Sequence, residues 1–129
     1  MLSLHRTRTR ISTMGRISKT LEKLSSEHQE SSELKHDAAK AGCKLIATQV
    51  DRAVVTIHGV LRSVTLRPVD GVTALEAELY DGSACVTLIW LGRRKIEGIT
   101  AGRQMTVHGR IGTRSGTRVI YNPRYELGA

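Results

Sequence analysis

The sequence predicts an all-β fold, a small barrel of five strands that follows a helical segment. Between Val54 and Leu127, apolar and polar residues alternate in short runs, which is typical of strands with one buried face. Glycine-containing turns such as Asp81-Gly82 separate these runs. Three runs precede a connector and two follow it, and this order is that of a partly open Greek-key barrel.

Composition limits the size and the chemistry of the molecule. The 129 residues suffice for one domain with an appendage, and 40% of them are hydrophobic. The chain has no phenylalanine, so its core must be built from valine, leucine, isoleucine and alanine. The formal net charge of +8 favours a polyanionic partner. Cys43 and Cys85 form no CxxC pair, and we interpret them as reduced, part-buried thiols.

The basic N-terminus, residues 1–16, is expected to be disordered because it combines positive charge with little apolar surface. Its lack of acidic residues resembles an organellar transit peptide, and it has no apolar core of the kind that a secretory signal needs. We interpret Met14 as the natural start and residues 1–13 as an upstream extension.

Residues 17–45 are predicted to form a helical extension. Apolar residues recur at helical spacing in its two halves, and a polar stretch over residues 25–32 separates them. The pattern fits two short helices or one long helix with little buried surface. Gly42 follows an alanine-rich run and is expected to stop the helix. Neither half has an apolar stripe wide enough to fold alone, so the extension docks on the barrel, pairs with another copy or stays loose.

The barrel is predicted to span residues 54–127. In its first strand Val55 and Ile57 share one face, and after Gly59 the apolar phase moves to Val60. A phase slip at a glycine predicts a bulge close to Gly59, which lets one long strand serve both sheets of a barrel. A turn at residues 68–71 precedes the second strand. The polar face of that strand carries Glu76, Glu78 and Tyr80.

The last three strands are predicted from residue 84 onward. Residues 84–91 are apolar on both faces except at Thr87, as in a central strand whose faces are covered. Residues 93–100 break the period and form a connector with room for one short helix. The fourth strand extends from Met105 to Ile111, and the fifth covers residues 117–121 after a turn at Arg114-Ser115-Gly116. This is the plan of an OB-fold, and the fold class is a five-stranded OB-fold barrel with an N-terminal helical extension.

Five short motifs lie along this predicted barrel: Gly59-Val60-Leu61, Glu78-Leu79-Tyr80-Asp81-Gly82-Ser83, Thr87-Leu88-Ile89-Trp90-Leu91, Gly109-Arg110-Ile111 and Asn122-Pro123-Arg124-Tyr125. They resemble an OB-fold branch that includes the anticodon-binding domains of some class II aminoacyl-tRNA synthetases and the wedge domain of a bacterial branch-migrating DNA helicase. Residues 14–129 are similar to small stand-alone OB-fold proteins of high-GC Gram-positive bacteria. The resemblance implies generic nucleic-acid binding without an attached enzyme.

Basic side chains on the predicted barrel are the candidate contacts to nucleic acid. OB-folds bind ligands along their middle strands and in the first and fourth loops, and Arg114 and Arg118 flank the fourth loop, where they suit a phosphate track. A solvated surface is the ordinary alternative for such charges. The predicted nucleic-acid-binding residues are Arg62, Arg67, Tyr80, Arg93, Arg94, Lys95, His108, Arg110, Arg114, Arg118 and Tyr121.

Aromatic residues are scarce, although proteins that bind single strands commonly stack bases on rings. Tyr80 and Tyr121 are the stacking candidates. Trp90 ends the strand that is apolar on both faces, so we predict that it lies in the core rather than on a stacking surface. Tyr125 is expected to cap the barrel. Glu76 and Glu78 would repel phosphate if their strand faced the ligand.

The sequence carries no signature of catalysis. A GxSxG elbow and a GxxxxGK[ST] loop are both absent, and the five histidines have no ligand-like spacing to the cysteines. The GxxG motif at residues 109–112 lies in a predicted strand, whereas KH domains place it between two helices. No apolar stretch approaches the ~18–20 residues that cross a bilayer. We expect no enzyme activity, no cofactor, no metal and no membrane partner.

The function predicted from the sequence is that of a cytoplasmic bacterial protein that binds nucleic acid through backbone charge with little sequence preference. A single strand is the expected partner, and the pattern favours neither DNA nor RNA. The alternative is a protein-interaction module whose N-terminal helix recruits a partner or self-associates. The two differ in salt dependence, because phosphate contacts weaken steeply with salt and a hydrophobic interface does not.

Overall fold

The computed structural model describes residues 23–128. The prediction of disorder for residues 1–16, and the first part of the helical extension, lie outside the described residues. Residues 23–40 form one helix, α1, which includes the polar stretch, so the single-helix alternative is the one observed. Gly42 has φ +75°, and the N–H groups of Gly42 and Cys43 donate to the carbonyls of Ala39 and Ala38. This is a Schellman motif, and it confirms the predicted stop at Gly42.

Six strands follow a short 3-10 turn at Ile46–Thr48. They are β1 (Val54–Val69), β2 (Val72–Tyr80), β3 (Cys85–Leu91), β4 (Gln104–Arg114), β5 (Thr117–Tyr121) and β6 (Arg124–Leu127). The connector between β3 and β4 contains no helix, although the sequence left room for one. Instead it buries Ile96 and Ile99 against the core.

Five of the strands form a closed ring. Their order is β1-β2-β3-β5-β4, and β1 pairs again with β4. All pairs are antiparallel except β3 with β5, which are parallel. A ring of this order is compatible with the predicted OB-fold. In this order the β1–β4 seam lies across the ring from β3, because β3 has β2 and β5 as its neighbours.

The first strand is long enough to serve two neighbours. Residues 54–60 pair with β4, and residues 60–69 pair with β2. The register shift lies between Leu61 and Ser63, so the bulge falls at Arg62, further along the strand than the predicted slip at Gly59. Inward burial continues through Gly59 to Leu61, and Val60 does not enter the core. At Gly59 itself a Cβ would overlap the Tyr80 carbonyl, so the glycine serves close strand approach rather than a change of phase.

The predicted fifth strand, residues 117–121, is β5, and an additional strand, β6, follows it. Both β5 and β6 pair antiparallel with β4, and Asn122-Pro123 lies between them. Pro123 cannot donate a ladder hydrogen bond, and Asn122 adopts φ +49°, so pairing stops there and resumes at Arg124. The sequence predicted five strands, and this interruption is the reason that the structure has six.

The core fills the ring with aliphatic side chains from every strand except β6. Trp90 is 5% exposed, and its Nε1–H donates to the Pro123 carbonyl at 3.1 Å. Its ring meets Tyr125 edge to face, with centroids 5.9 Å apart. Trp90 is therefore a core residue, as predicted, and Tyr125 covers its edge while remaining 37% exposed.

One buried carboxylate joins the 3-10 turn to the β2–β3 loop. Asp81 is fully buried, and its Oδ2 accepts a hydrogen bond from the Ile46 N–H at 2.7 Å. Its Oδ1 accepts from the N–H and the hydroxyl of Ser83. The next residue, Gly82, contacts α1. Its carbonyl accepts a hydrogen bond from the Ser31 hydroxyl at 2.6 Å. Leu34 and Ala38 are the side chains of the described part of α1 that become buried.

Candidate nucleic-acid interface

Two tight hairpin turns flank one of the grooves of the molecule. Asp70 and Gly71 join β1 to β2, and Ser115 and Gly116 join β4 to β5. All four residues have positive φ, which is the geometry of two-residue type I′ turns. Asp-Gly and Ser-Gly suit this turn because glycine and short polar residues tolerate left-handed backbone.

The tips of these two hairpins approach each other over β3. They enclose a groove of about 280 Å³, here called the hairpin groove. Arg114 Nη2 lies 3.7 Å from the Asp70 carboxylate and connects the two tips. Both side chains are exposed, so the pair is weak and screened by salt, and a ligand can compete for it. The groove is lined by Arg67, Pro68, Val69, Glu76, Thr87, Ile89, Arg114, Ser115, Thr117 and Val119.

The lining separates charge from apolar surface. Val69, Ile89 and Val119 are nearly buried and form, with Ala74, a second apolar cluster on the outer face of the sheet. Arg67 comes from β1 and Arg114 from β4, so the groove draws its guanidinium groups from both hairpins. Hydroxyl groups of threonine and serine complete the lining. The groove thus offers cations, hydroxyl donors and apolar contact to one ligand.

Arg114 is oriented by an aromatic neighbour. Its Nη1 donates to the Tyr121 hydroxyl at 3.0 Å, and this hydrogen bond is the main reason that the pKa of Arg114 is raised. The guanidinium therefore remains a cation at any pH at which the protein folds. Tyr121 is 41% exposed and pairs in register with Ile89 of the groove. The structure thus brings together three of the predicted site residues: Arg67, Arg114 and Tyr121.

Acidic residues also face this side of the sheet, as the sequence analysis anticipated. Glu76 lines the groove, and Glu78 follows it on the same face of β2. Glu78 Oε1 accepts a hydrogen bond from the Cys85 thiol at 3.4 Å. A carboxylate in the groove repels phosphate but accepts hydrogen bonds from the amino groups of bases. The groove therefore suits a ligand that carries both kinds of group.

Arg62 and Tyr80 form a separate pair further along this face. The guanidinium carbon of Arg62 lies 3.6 Å from the centre of the Tyr80 ring, a cation–π contact. One face of Tyr80 is therefore covered by a side chain of the protein. A base could stack on it only after Arg62 moves, whereas Tyr121 is exposed without such a cover.

Arg118 does not lie beside Arg114. In the β4–β5 ladder Arg114 pairs with Thr117, and the next pair is Thr113 with Arg118. Successive pairs in a ladder point to opposite faces, so the two arginines project from opposite sides of one hairpin. Arg118 lines a different cavity of about 300 Å³ together with Gln49, Asp51 and Thr113. Arg114 and Arg118 were predicted to contact one run of phosphates. To reach both side chains, that run would have to pass from one face of the β4–β5 hairpin to the other.

The remaining predicted residues lie elsewhere on the surface. His108 and Arg110 lie on β4 at the seam with β1. Arg93, Arg94 and Lys95 are exposed on the connector, which begins beside the β1–β2 hairpin because the Gly92 N–H donates to the Thr73 carbonyl. The predicted set is therefore distributed over several faces rather than gathered in one site.

The groove lining includes residues that the sequence analysis did not select. Val69, Ile89 and Val119 are apolar residues, and Ser115 and Thr117 belong to the β4–β5 turn or adjoin it. The continuous apolar run over residues 84–91 was the available signal, because it implied that the outer face of this strand is also covered. Within residues 23–128, no three His, Cys, Asp or Glu side chains are grouped to hold a metal ion, and no helix is long and apolar enough to span a bilayer.

Comparison with known proteins supports the fold. Eight chains of solved structures match this chain. One of them belongs to the structure of RecG bound to a three-way DNA junction, with 24% sequence identity and a TM-score of 0.50. The match covers 61% of this chain and 11% of the RecG chain, so this protein corresponds to a small part of it. No protein-family model and no curated protein matches the sequence.

Proposed function

We propose that this protein is a cytoplasmic OB-fold barrel that binds single-stranded nucleic acid in the hairpin groove, by backbone contacts with little sequence preference, and that it acts by binding rather than by catalysis. The observation that carries the proposal is the position of the groove. OB-folds bind oligonucleotides on the face of their second and third strands, between the first and fourth loops. The hairpin groove occupies that place and holds Arg67 and Arg114.

The chemistry of the groove favours nucleic acid over other ligands of such folds. Arginine recognises phosphate through paired N–H donors, and the net charge of +8 attracts polyanions from solution. The apolar lining and the exposed Tyr121 ring offer surface to bases. Glu76 favours a pose in which phosphates lie toward the arginines and base amino groups face the carboxylate.

The likeness to RecG bound to a DNA junction is consistent with this proposal through the shared fold. The N-terminal helix offers less support for the protein-interaction alternative. Its described residues dock on the protein's own β2–β3 loop through Ser31, Leu34 and Ala38, and Leu24 is the large apolar side chain that this part of the helix leaves exposed. A helix-mediated partner remains a prediction, and its binding would depend little on salt.

Binding should be measured by fluorescence anisotropy with a labelled single strand of about 12 nucleotides, within the range of OB-fold site sizes. If about three to five phosphates are contacted, log K should fall with log salt at a slope of roughly −2 to −3.5. Replacing Arg67 and Arg114 with alanine should weaken binding about tenfold or more and flatten the slope by roughly 0.7 for each lost contact.

Arg118→Ala is the matched control, because Arg118 lies on the same hairpin but projects from its other face. It should leave affinity within about twofold of the parent. Equal losses at Arg114 and Arg118 would favour a track along the hairpin edge over the groove. Absence of binding at low salt, or binding that ignores salt, would refute the proposal and turn attention to the helix.

A further inference from the structure

A second basic surface lies on the opposite side of the ring from the groove. It is formed by the outward side chains of the paired halves of β1 and β4 and of β6, and we call it the seam face. Alternation along these strands directs Ile57 and Val107 inward and their neighbours outward. The polar members of the seam face are Thr56, His58, Thr106, His108, Arg110, Arg124 and Glu126, and the exposed Val54 is the register partner of Arg110.

Topology separates this surface from the groove. The groove is centred on β3, and the β1–β4 seam lies across the five-strand ring from β3. Facing layers of sheet lie about 10 Å apart in proteins, with side chains extending beyond them. The groove and the seam face therefore point in opposite directions.

The two histidines of the seam face are held by cross-strand threonines. His58 Nδ1 lies 2.8 Å from Thr106 Oγ1, and His108 Nδ1 lies 2.9 Å from Thr56 Oγ1. A threonine hydroxyl donates to a neutral imidazole nitrogen and accepts from a protonated one, so both bonds persist when the rings gain a proton. The register makes the histidines diagonal neighbours in the ladder.

Two arginines lie next to His108 on the seam face. Arg124 of β6 is the register partner of His108, and Arg110 follows on β4, where its Nη1 donates to the Arg52 carbonyl. His108 and Arg124 line a shallow depression of about 380 Å³ with Tyr125 and Glu126. The depression combines two cationic or protonatable groups with an exposed aromatic ring, and Glu126 is the one acid in its lining.

We infer that the seam face is a second phosphate-binding surface, so that one molecule bridges two segments of nucleic acid. The inference rests on the proposed function of the groove. Cations, an accessible tyrosine and a shallow depression are the features by which single strands are held without sequence preference. With two such faces on opposite sides of one ring, the protein would lie between the two nucleic-acid segments that it binds.

The test is a sandwich assay with two short single strands of about 8 nucleotides, one immobilised and one fluorescent. The parent should capture the second strand, and ultracentrifugation should give one protein molecule to two strands. Arg110→Ala with Arg124→Ala should reduce capture about tenfold while anisotropy still reports binding of one strand. If the double variant is unstable, Arg124→Glu alone can replace it in this test. Arg124 is exposed on strand β6 and is not part of a turn, so we expect this substitution to leave the fold intact.

A parent that binds one strand but captures no second strand would overturn this inference and leave the proposed function intact. Capture that appears only with protein dimers, or that survives loss of both seam arginines, would also overturn it. A parent that binds no strand would refute the proposed function itself.

Discussion

At the scale of the residue, the carboxylate of Asp81 connects chain segments that are distant in sequence. It is fully buried and accepts hydrogen bonds from Ile46 and Ser83, so its two oxygens satisfy the donors around it. Replacement by asparagine puts an NH₂ group where one oxygen accepts, and two donors then face each other in a buried site.

Asp81→Asn is expected to lower the free energy of unfolding by about 2 kcal/mol, because a buried N–H group loses its acceptor. Urea denaturation followed by Trp90 fluorescence measures this change. Asp70→Asn is the control, since Asp70 is exposed in a turn with φ +50°, which asparagine tolerates. Similar losses of unfolding free energy in both variants would contradict the role of Asp81 in joining the 3-10 turn to the β2–β3 loop.

The two thiols should differ in reactivity. Desolvation by burial is the largest effect on Cys85, and with the hydrogen bond to Glu78 and its charge it raises the pKa of that thiol to about 11. Burial alone raises the pKa of Cys43. The thiolate is the reactive form, and a pKa two units above the ordinary value of 9.0 leaves about a hundredfold less of it at pH 8.

Mass spectrometry after timed alkylation at about pH 8 should therefore find Cys43 modified first. Glu78→Gln removes the negative charge beside Cys85, lowers the pKa of the thiol and should speed its modification. Alkylation of Cys85 at the rate of an exposed peptide thiol would show that the contact with Glu78 does not form in solution.

At the scale of the element, docking of α1 depends on a single glycine. Gly82 has φ +92°, and a Cβ at this position would overlap the Ser31 carbonyl. Gly71 has a similar φ of +81°, but a Cβ there meets nothing within 4 Å. The two glycines therefore separate backbone strain from loss of helix docking.

Gly82→Ala should destabilise the protein more than Gly71→Ala, because the first variant adds a clash with α1 to a backbone cost of about 1 kcal/mol that both share. Hydrogen exchange should then be faster in residues 31–40 of the Gly82 variant alone. Equal exchange in both variants would mean that α1 does not rest on this loop.

Element positions followed from the sequence wherever a local signal determines them. Alternation defined β2, the turn at Arg114-Ser115-Gly116 defined the start of β5, and the left-handed preference of glycine defined the end of α1 at Gly42. The bulge at Arg62 was misplaced because Gly59 carries the usual sequence mark of a bulge, whereas its actual role is to let Tyr80 approach. Such an approach depends on pairing between distant strands and leaves no local pattern.

The candidate site was less predictable than the fold for the same reason. Arg114 and Arg118 are close in sequence, and the face that each occupies depends on the register of β4 with β5. The convergence of Arg67 with Arg114 depends on how two hairpins meet across the ring. Residue type predicted the charge of the surface, whereas topology divided that charge between the groove and the seam face.

At the scale of the whole molecule, the helix and the ring should differ in stability. The described part of α1 buries Leu34 and Ala38, whereas the ring encloses a continuous aliphatic core around Trp90. A single helix of this length is marginal in water without packing. Local opening of α1 should therefore precede the unfolding of the ring.

Urea titration should show loss of the helical circular-dichroism signal at a lower concentration than the change in Trp90 fluorescence. Trp90 is the one tryptophan of the chain, and its position against Pro123 and Tyr125 makes it a reporter of the ring. Gly82→Ala should widen the gap between the two transitions. Coincident transitions in the parent would indicate that α1 and the ring unfold as one cooperative unit.

The pairing of β1 with β4 has a consequence for how the chain is made. Residues 54–60 find their partners in residues 104–110, and the segments between them must be in place before the ring closes. Contacts so distant in sequence form slowly. During synthesis the first half of β1 has no pairing partner until β4 leaves the ribosome. Its backbone edge is then unpaired, and the side chains of Val55 and Ile57 are exposed. A nascent chain arrested before residue 104 would therefore be the form of this protein most prone to aggregate.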